Sequence, residues 1–225
     1  DLATALRAFL NFLFLTGRTD GNLVGSVPSV AARRSTSLPR WLPWEDIERL
    51  LIGFNRRTCA GRRNYAMMLL LARLGLRGGE GVAITLDDLD WEKGELVVHG
   101  KGSREDRMPI PRDVGAAIAA YLKDGRPQCS TRRVFIRLVE PFRGLGSCRP
   151  VSALVSRALR RAQIHTPFRG AHLLRHSLAT EMLRRGATLA EVRQVLRHQS
   201  SDTSAVYAKV DFSRLRLLAQ PWPLR

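Results

Sequence analysis

Residues 172–207 read HLLRHSLATEMLRRGATLAEVRQVLRHQSSDTSAVY. The stretch predicts two helices, His172 to Arg185 and Leu189 to Arg197, with Gly186 between them. Thr188 and Glu191 form the S/T-x-x-E signature that opens the second. A further short helix is expected over 202–209. On the first helix His172 and Arg175 stand three apart and share one face. A histidine beside an arginine suits a phosphate, since one group moves a proton while the other holds charge. His176, four residues after His172, raises a zinc reading, but the HExxH pattern needs Glu at 173 and Leu stands there.

Working outward, helices are expected at Val151 to Ala162 and Val114 to Leu122. Between Val82 and Ile110 the period shortens. Val82 to Leu86, Glu95 to His99 and Arg107 to Ile110 read as short strands, with Gly100-Lys101-Gly102-Ser103 as a hairpin turn. Tyr65 to Leu74 is apolar enough for a helix buried on most sides. Ile47, Leu50, Leu51 and Phe54 make a helical stripe behind Pro43. Leu6, Leu10, Leu13 and Phe14 make another near the start. There, Asn11 and the absence of a basic leading segment argue against an export signal. Gly17 to Arg40 is a linker by composition. The fold class expected is mainly α with a small antiparallel β-sheet (α+β). A lone helix cannot bury its own apolar face. Residues 1–39 are therefore expected to be the end of a domain whose beginning is missing, plus a linker, with the main domain over 40–225.

The 225 residues carry 37 Lys plus Arg against 20 Asp plus Glu, a formal charge of +17. Only Lys93, Lys101, Lys123 and Lys209 are lysines. Such a balance, spread along the chain, points to a polyanion met by a folded basic surface. No apolar run is long enough to span a bilayer, so no membrane partner is expected. Cys59, Cys129 and Cys148 form no CxxC, which disfavours a disulfide framework or cysteine zinc site and fits a reducing cytoplasm.

Four segments carry candidate chemistry. Arg77 ends the apolar helix within GLRGGE (75–80), and Glu80 is placed to orient it. Neither a Walker loop nor a dinucleotide fingerprint is present there. Lys101 sits at the hairpin tip, His172 and Arg175 share their face, and Leu196-Arg197-His198 precedes Tyr207 by nine residues counted from His198. Taken singly, each has an ordinary alternative: a surface arginine at a helix cap, a solvated lysine, a structural histidine, a half-buried tyrosine.

Their joint order resembles the catalytic domain of the tyrosine recombinases, the phage integrase family. The resemblance runs from about Arg40 to Val210. It is carried by LGLR (74–77), GKGSREDRMPIP (100–111), HLLRHSLAT (172–180) and LRHQSSDTSAVYAKV (196–210). It implies a tyrosine recombinase catalytic fold behind the last helix of a core-binding domain. By the same resemblance Tyr207 is the nucleophile that forms a 3′-phosphotyrosyl bond, and Arg77 and Arg175 clamp the non-bridging oxygens. Lys101 protonates the leaving 5′-oxygen, His172 is general base or acid, and His198 hydrogen-bonds the phosphate. The implied partner is double-stranded DNA, engaged by a homotetramer on paired sites, with room for accessory DNA-bending proteins and a nucleoid-associated location. No metal or cofactor is required, because guanidiniums keep their charge near pH 7 and the covalent intermediate preserves the phosphate bond energy. The tail from Asp211 is expected to pack on a neighbouring protomer.

Two positions depart from the family pattern. Arg197 stands where glycine is common, adding a charge expected to disfavour protonation of His198. Gly81 stands where a larger apolar residue usually follows the Glu. Other readings of the same residues are a catalytically silent DNA-binding remnant and a type IB-like topoisomerase.

Overall fold

A computed structural model describes residues 2–27, 41–100, 105–168 and 170–197. The chain forms two compact units, Asp1–Leu38 and Pro39–Arg225. In the first, α1 (Leu2–Leu15) has no buried residue, and Phe9 and Phe12 are each 55% exposed. Its apolar stripe is thus largely exposed, and Arg7 Nη2 donates to the carbonyl oxygen of Val27 at 3.2 Å.

The second unit is built around α3 (Cys59–Leu74). Every residue from Ala66 to Ala72 is buried there, so the helix is enclosed rather than amphipathic. Thr58 caps its start, accepting from the Gly61 N–H at 3.0 Å. Gly75 ends it with φ +59°, a left-handed cap that a glycine adopts without strain. Around α3 pack α2 (Trp44–Ile52), α5 (Arg112–Asp124), α6 (Arg149–Arg161) and α7 (Ala171–Arg184). Ser177 Oγ on α7 accepts from the Leu42 N–H at 2.8 Å and so ties the start of the unit to this helix. The stacked rings of Tyr121 and Phe135, 5.8 Å apart, close the core beside α5. A smaller apolar cluster of Ala179, Leu183, Val192 and Leu196 seats α8 (Leu189–Leu196) on α7.

The sheet has three antiparallel strands, β1 (Leu89–Asp90), β2 (Glu95–His99) and β3 (Glu105–Pro109), in the order β1-β2-β3. Leu96 pairs with Met108 and His99 with Glu105. Leu96, Val98 and Met108 face the core. Residues 101–104 of the expected turn lie outside the described residues, as does the helix expected over 202–209.

One expected strand is absent. Residues 82–86 form no strand; α4 (Gly78–Ala83) takes Val82 and Ala83, and a single bridge from Thr85 to Arg133 follows. Three glycines and β-branched neighbours argue against a helix locally, yet tertiary packing overrides them. A Cβ on Gly81 would stand 3.3 Å from both Leu71 Cδ2 and Met67 Sδ. Glycine at that position is what lets α4 lie directly on α3. Among the described residues no helix is long and apolar enough to cross a membrane.

Candidate active site

Arg77 is not a cap at the end of α3, as one reading of the sequence had it, but the residue that opens α4. Glu80, three residues later, holds it twice. Its Oε2 accepts from the Arg77 N–H at 2.8 Å and its Oε1 from Arg77 Nη1 at 2.6 Å. The carboxylate is 8% exposed, while the Arg77 side chain is 41% exposed. The arginine therefore points a solvent-reachable charge from a buried anchor. Burial alone would push the Glu80 carboxyl up. The bonds from Arg77 and the charge of Arg197 outweigh burial and hold it below the usual carboxylate range.

Arg175 is buried in the first half of α7, at 3% exposure. Its Nη1 donates to the carbonyl oxygen of Gly75 and its Nη2 to that of Leu196. One side chain thus ties the segment just ahead of Arg77 to the last residue of α8. The left-handed turn at Gly75 aims that carbonyl inward, and the same residue brings its backbone against Leu196, whose Cδ2 lies 2.7 Å from where a Cβ would stand.

His172, one turn before Arg175 on α7, is exposed. Its pKa nevertheless lies below the ordinary imidazole value. Partial burial of the ring is the main cause, joined by the charges of Arg175 and Arg77, with Glu80 acting against them. The ring is therefore neutral near pH 7 and able to accept a proton. His176 stands with its ring centroid 6.4 Å from that of His172.

Arg77, Glu80, His172 and Arg175 are thus brought together, from two helices far apart in sequence. Lys101, His198 and Tyr207 lie outside the described residues. β2 and β3 flank Lys101, and α8 ends one residue before Arg197 and two before His198.

Two features of the neighbourhood were not legible beforehand. Arg197 is the left-handed cap of α8, with φ +53°, and its side chain is 8% exposed. Nη2 lies 2.6 Å from Glu80 Oε2 and Nε 3.7 Å from Asp106 Oδ2 on β3. Its charge is met by two carboxylates; His198, whose protonation it was expected to disfavour, lies outside the described residues. The left-handed turn also gives a physical reason for glycine at this position. The second feature is Asp88, a buried carboxylate that accepts from Thr85 N–H at 2.7 Å and Thr85 Oγ1 at 2.8 Å, with His99 Nε2 at 2.7 Å. The only sequence signal was a Thr-x-x-Asp spacing ahead of the sheet.

A mostly helical domain that holds two arginines and a neutral histidine at one junction is arranged to grip an oxyanion and exchange a proton beside it. A model of the phage integrase family matches residues 40–214. The chain belongs to that family. It is 46% identical over 222 residues to the putative integrase/recombinase y4rA of Sinorhizobium fredii, across 99% of this chain and 54% of that one. With the tyrosine recombinase XerD of Listeria innocua it shares 29% identity over 215 residues, across 94% of this chain and 71% of the other. In fold it is similar to the XerH site-specific recombinase in a post-cleavage complex with a palindromic difH substrate. The TM-score is 0.72 over 87% of this chain and 56% of that one, at 22% identity. The chain spans about half the length of the first two curated relatives it matches.

Proposed function

We propose that residues 40–225 are the catalytic domain of a site-specific DNA recombinase, and that residues 1–39 are the end of a core-binding domain with its linker. The observation that carries this reading is the pair of ties made by Arg175. They join Gly75, two residues before Arg77, to Leu196, two residues before His198 in the sequence, and this supports a site assembled from those segments.

In the reaction, the Tyr207 phenol attacks a backbone phosphorus and loses its proton to the neutral His172. The bond from phosphorus to the 5′-oxygen breaks, Lys101 gives that oxygen a proton, and a 3′-phosphotyrosyl link remains. Arg77 and Arg175 spread the charge of the five-coordinate state over guanidiniums that never titrate in this range. Removing one preorganised donor of this kind costs about 10²–10³ in rate. His198 adds a hydrogen bond to the same phosphate. Rejoining reverses the steps with a different 5′-hydroxyl, so strands are exchanged without ATP. The solved relatives XerH and the Tn1549 transposon integrase are described as DNA complexes, which supports duplex DNA as the partner. Paired sites held by four copies, with the tail from Asp211 reaching a neighbour and DNA-bending proteins assisting, complete the proposed assembly, which works on chromosomal or mobile-element DNA.

The test is covalent capture. Nicked duplex fragments drawn from DNA flanking the gene are incubated with the protein in EDTA, denatured, and separated. A protein–DNA adduct that disappears with Tyr207→Phe is expected. Firm, salt-sensitive binding to the same fragments without any adduct would leave a DNA-binding remnant in its place. Relaxation of unrelated supercoiled plasmid would instead favour a topoisomerase.

A further inference from the structure

The mechanism above gives Arg197 no part. Its backbone is left-handed, at φ +53° and ψ +47°, where a residue with a Cβ is strained. A long cation at a helix end ordinarily runs its stem along the surface and leaves its head in water. This one turns inward. It meets Glu80 at 2.6 Å, Asp106 at 3.7 Å and the Sδ of Met108, with 8% of the side chain exposed. Glu80 is the carboxylate whose other oxygen holds Arg77, and Asp106 and Met108 lie on the strand that leaves the Lys101 hairpin.

We propose that Arg197 is a positioning residue for strand cleavage: through Glu80 it fixes the guanidinium of Arg77, and through Asp106 and Met108 it fixes the base of the hairpin that carries Lys101. The inference rests on the function proposed above and deepens it. A carboxylate gripped on one oxygen can still turn about its last torsion, whose preferences are broad. Arg77 already grips both, through its N–H on Oε2 and its Nη1 on Oε1, so the two residues move as one unit at the start of α4. Arg197 adds a charge-assisted bond on Oε2 that anchors this unit to the end of α8 and to β3, and so removes the freedom the pair would share. A misplacement of about 1 Å in a catalytic group is enough to cost about 10²-fold in rate.

The experiment compares the wild-type protein with Arg197→Gly, Arg197→Lys, Glu80→Gln and the Arg197→Gly/Glu80→Gln double variant. Glycine is at home in the left-handed turn, so it removes the side chain without adding strain. On a nicked suicide duplex at saturating concentration, Arg197→Gly should form the covalent adduct at least about tenfold more slowly, with Kd for the duplex within about twofold. Lysine should recover part of the rate, and the double variant should be no slower than Glu80→Gln alone. A second readout needs no catalysis. In 15N-labelled, DNA-free protein, the Arg77 Nε–Hε signal, assigned by its loss in Arg77→Lys, should shift and broaden in Arg197→Gly. An unmoved Arg77 signal overturns the proposal whatever the rates do. A moved signal with an unchanged rate overturns its catalytic part. Should even the wild-type protein give no adduct, the recombinase reading fails and the Arg77 signal alone decides whether Arg197 positions it.

Discussion

The guanidinium of Arg175 donates to the backbone carbonyl of Gly75, one hundred residues earlier in the chain. The charge proposed to bind phosphate is thus also a structural strut, and the two roles separate by experiment. In Arg175→Lys a single ammonium replaces a fork and cannot satisfy the carbonyls of both Gly75 and Leu196. The DNA-free protein should lose about 2–4 kcal/mol, since a buried group left without a partner costs about 1–3 kcal/mol. Urea denaturation measures this, and unchanged stability would mean the struts are idle.

His172 should titrate below the ordinary imidazole value of about 6.5 in the free protein, because burial and two nearby guanidiniums disfavour its charged form. The unfolded chain then binds more protons just below that pH, so this histidine's contribution to stability is present above it and is lost as the pH falls. Proton NMR of the His172 ring reads the titration. Arg77→Ala should move the midpoint up, but only partway, because burial is the larger cause.

Glu80 works in the opposite sense. Its carboxyl is held low in the folded state, so the stability it lends is complete above the usual carboxylate range and fades as acid protonates it. Glu80→Gln should lower stability at neutral pH and flatten its decline below about pH 4.3. Thermal unfolding followed across that range would show parallel acid limbs if the carboxylate were a bystander.

Gly81→Val tests the close approach of α4 to α3. A side chain there meets Leu71 and Met67 at 3.3 Å, so overpacking should cost about 1–3 kcal/mol. Met67→Ala should offset part of that loss, making the pair less damaging together than the sum of the two. Strict additivity in denaturation would show that α4 does not depend on this contact.

Asp88→Asn keeps the shape of a buried side chain but turns one acceptor oxygen into a donor facing Thr85 or His99. A loss of about 1–3 kcal/mol is expected. The end of β2 at His99, two residues before Lys101, should exchange its amide hydrogens faster while α3 stays protected.

Most helices were legible because burial leaves a period. The enclosed run in α3, the stripe of α2 and the capping box at Thr188 each carry a local signal that packing only reinforced. The β2–β3 hairpin was legible for the same reason, with Leu96 and Val98 alternating inward. Residues 78–86 were not, because their glycines serve a neighbouring helix and say nothing about their own backbone. At the site, the types and order of Arg77, Glu80, His172 and Arg175 were readable. The inward turn of Arg197 was not, since a cation after a helix is among the commonest patterns there is. Its partners, Glu80 and Asp106, are fixed only by three-dimensional packing.

The ties of Arg175 make the geometry around Arg77 conditional on the whole domain. Glu80 steadies Arg77 from within the first turn of α4, but nothing in that turn sets its place relative to α7 and α8. Alignment comes only when Arg175 has found both Gly75 and Leu196, which requires the central helix, α7 and α8 to be in place together. Loss of either bond would leave the basic surface intact and the alignment gone.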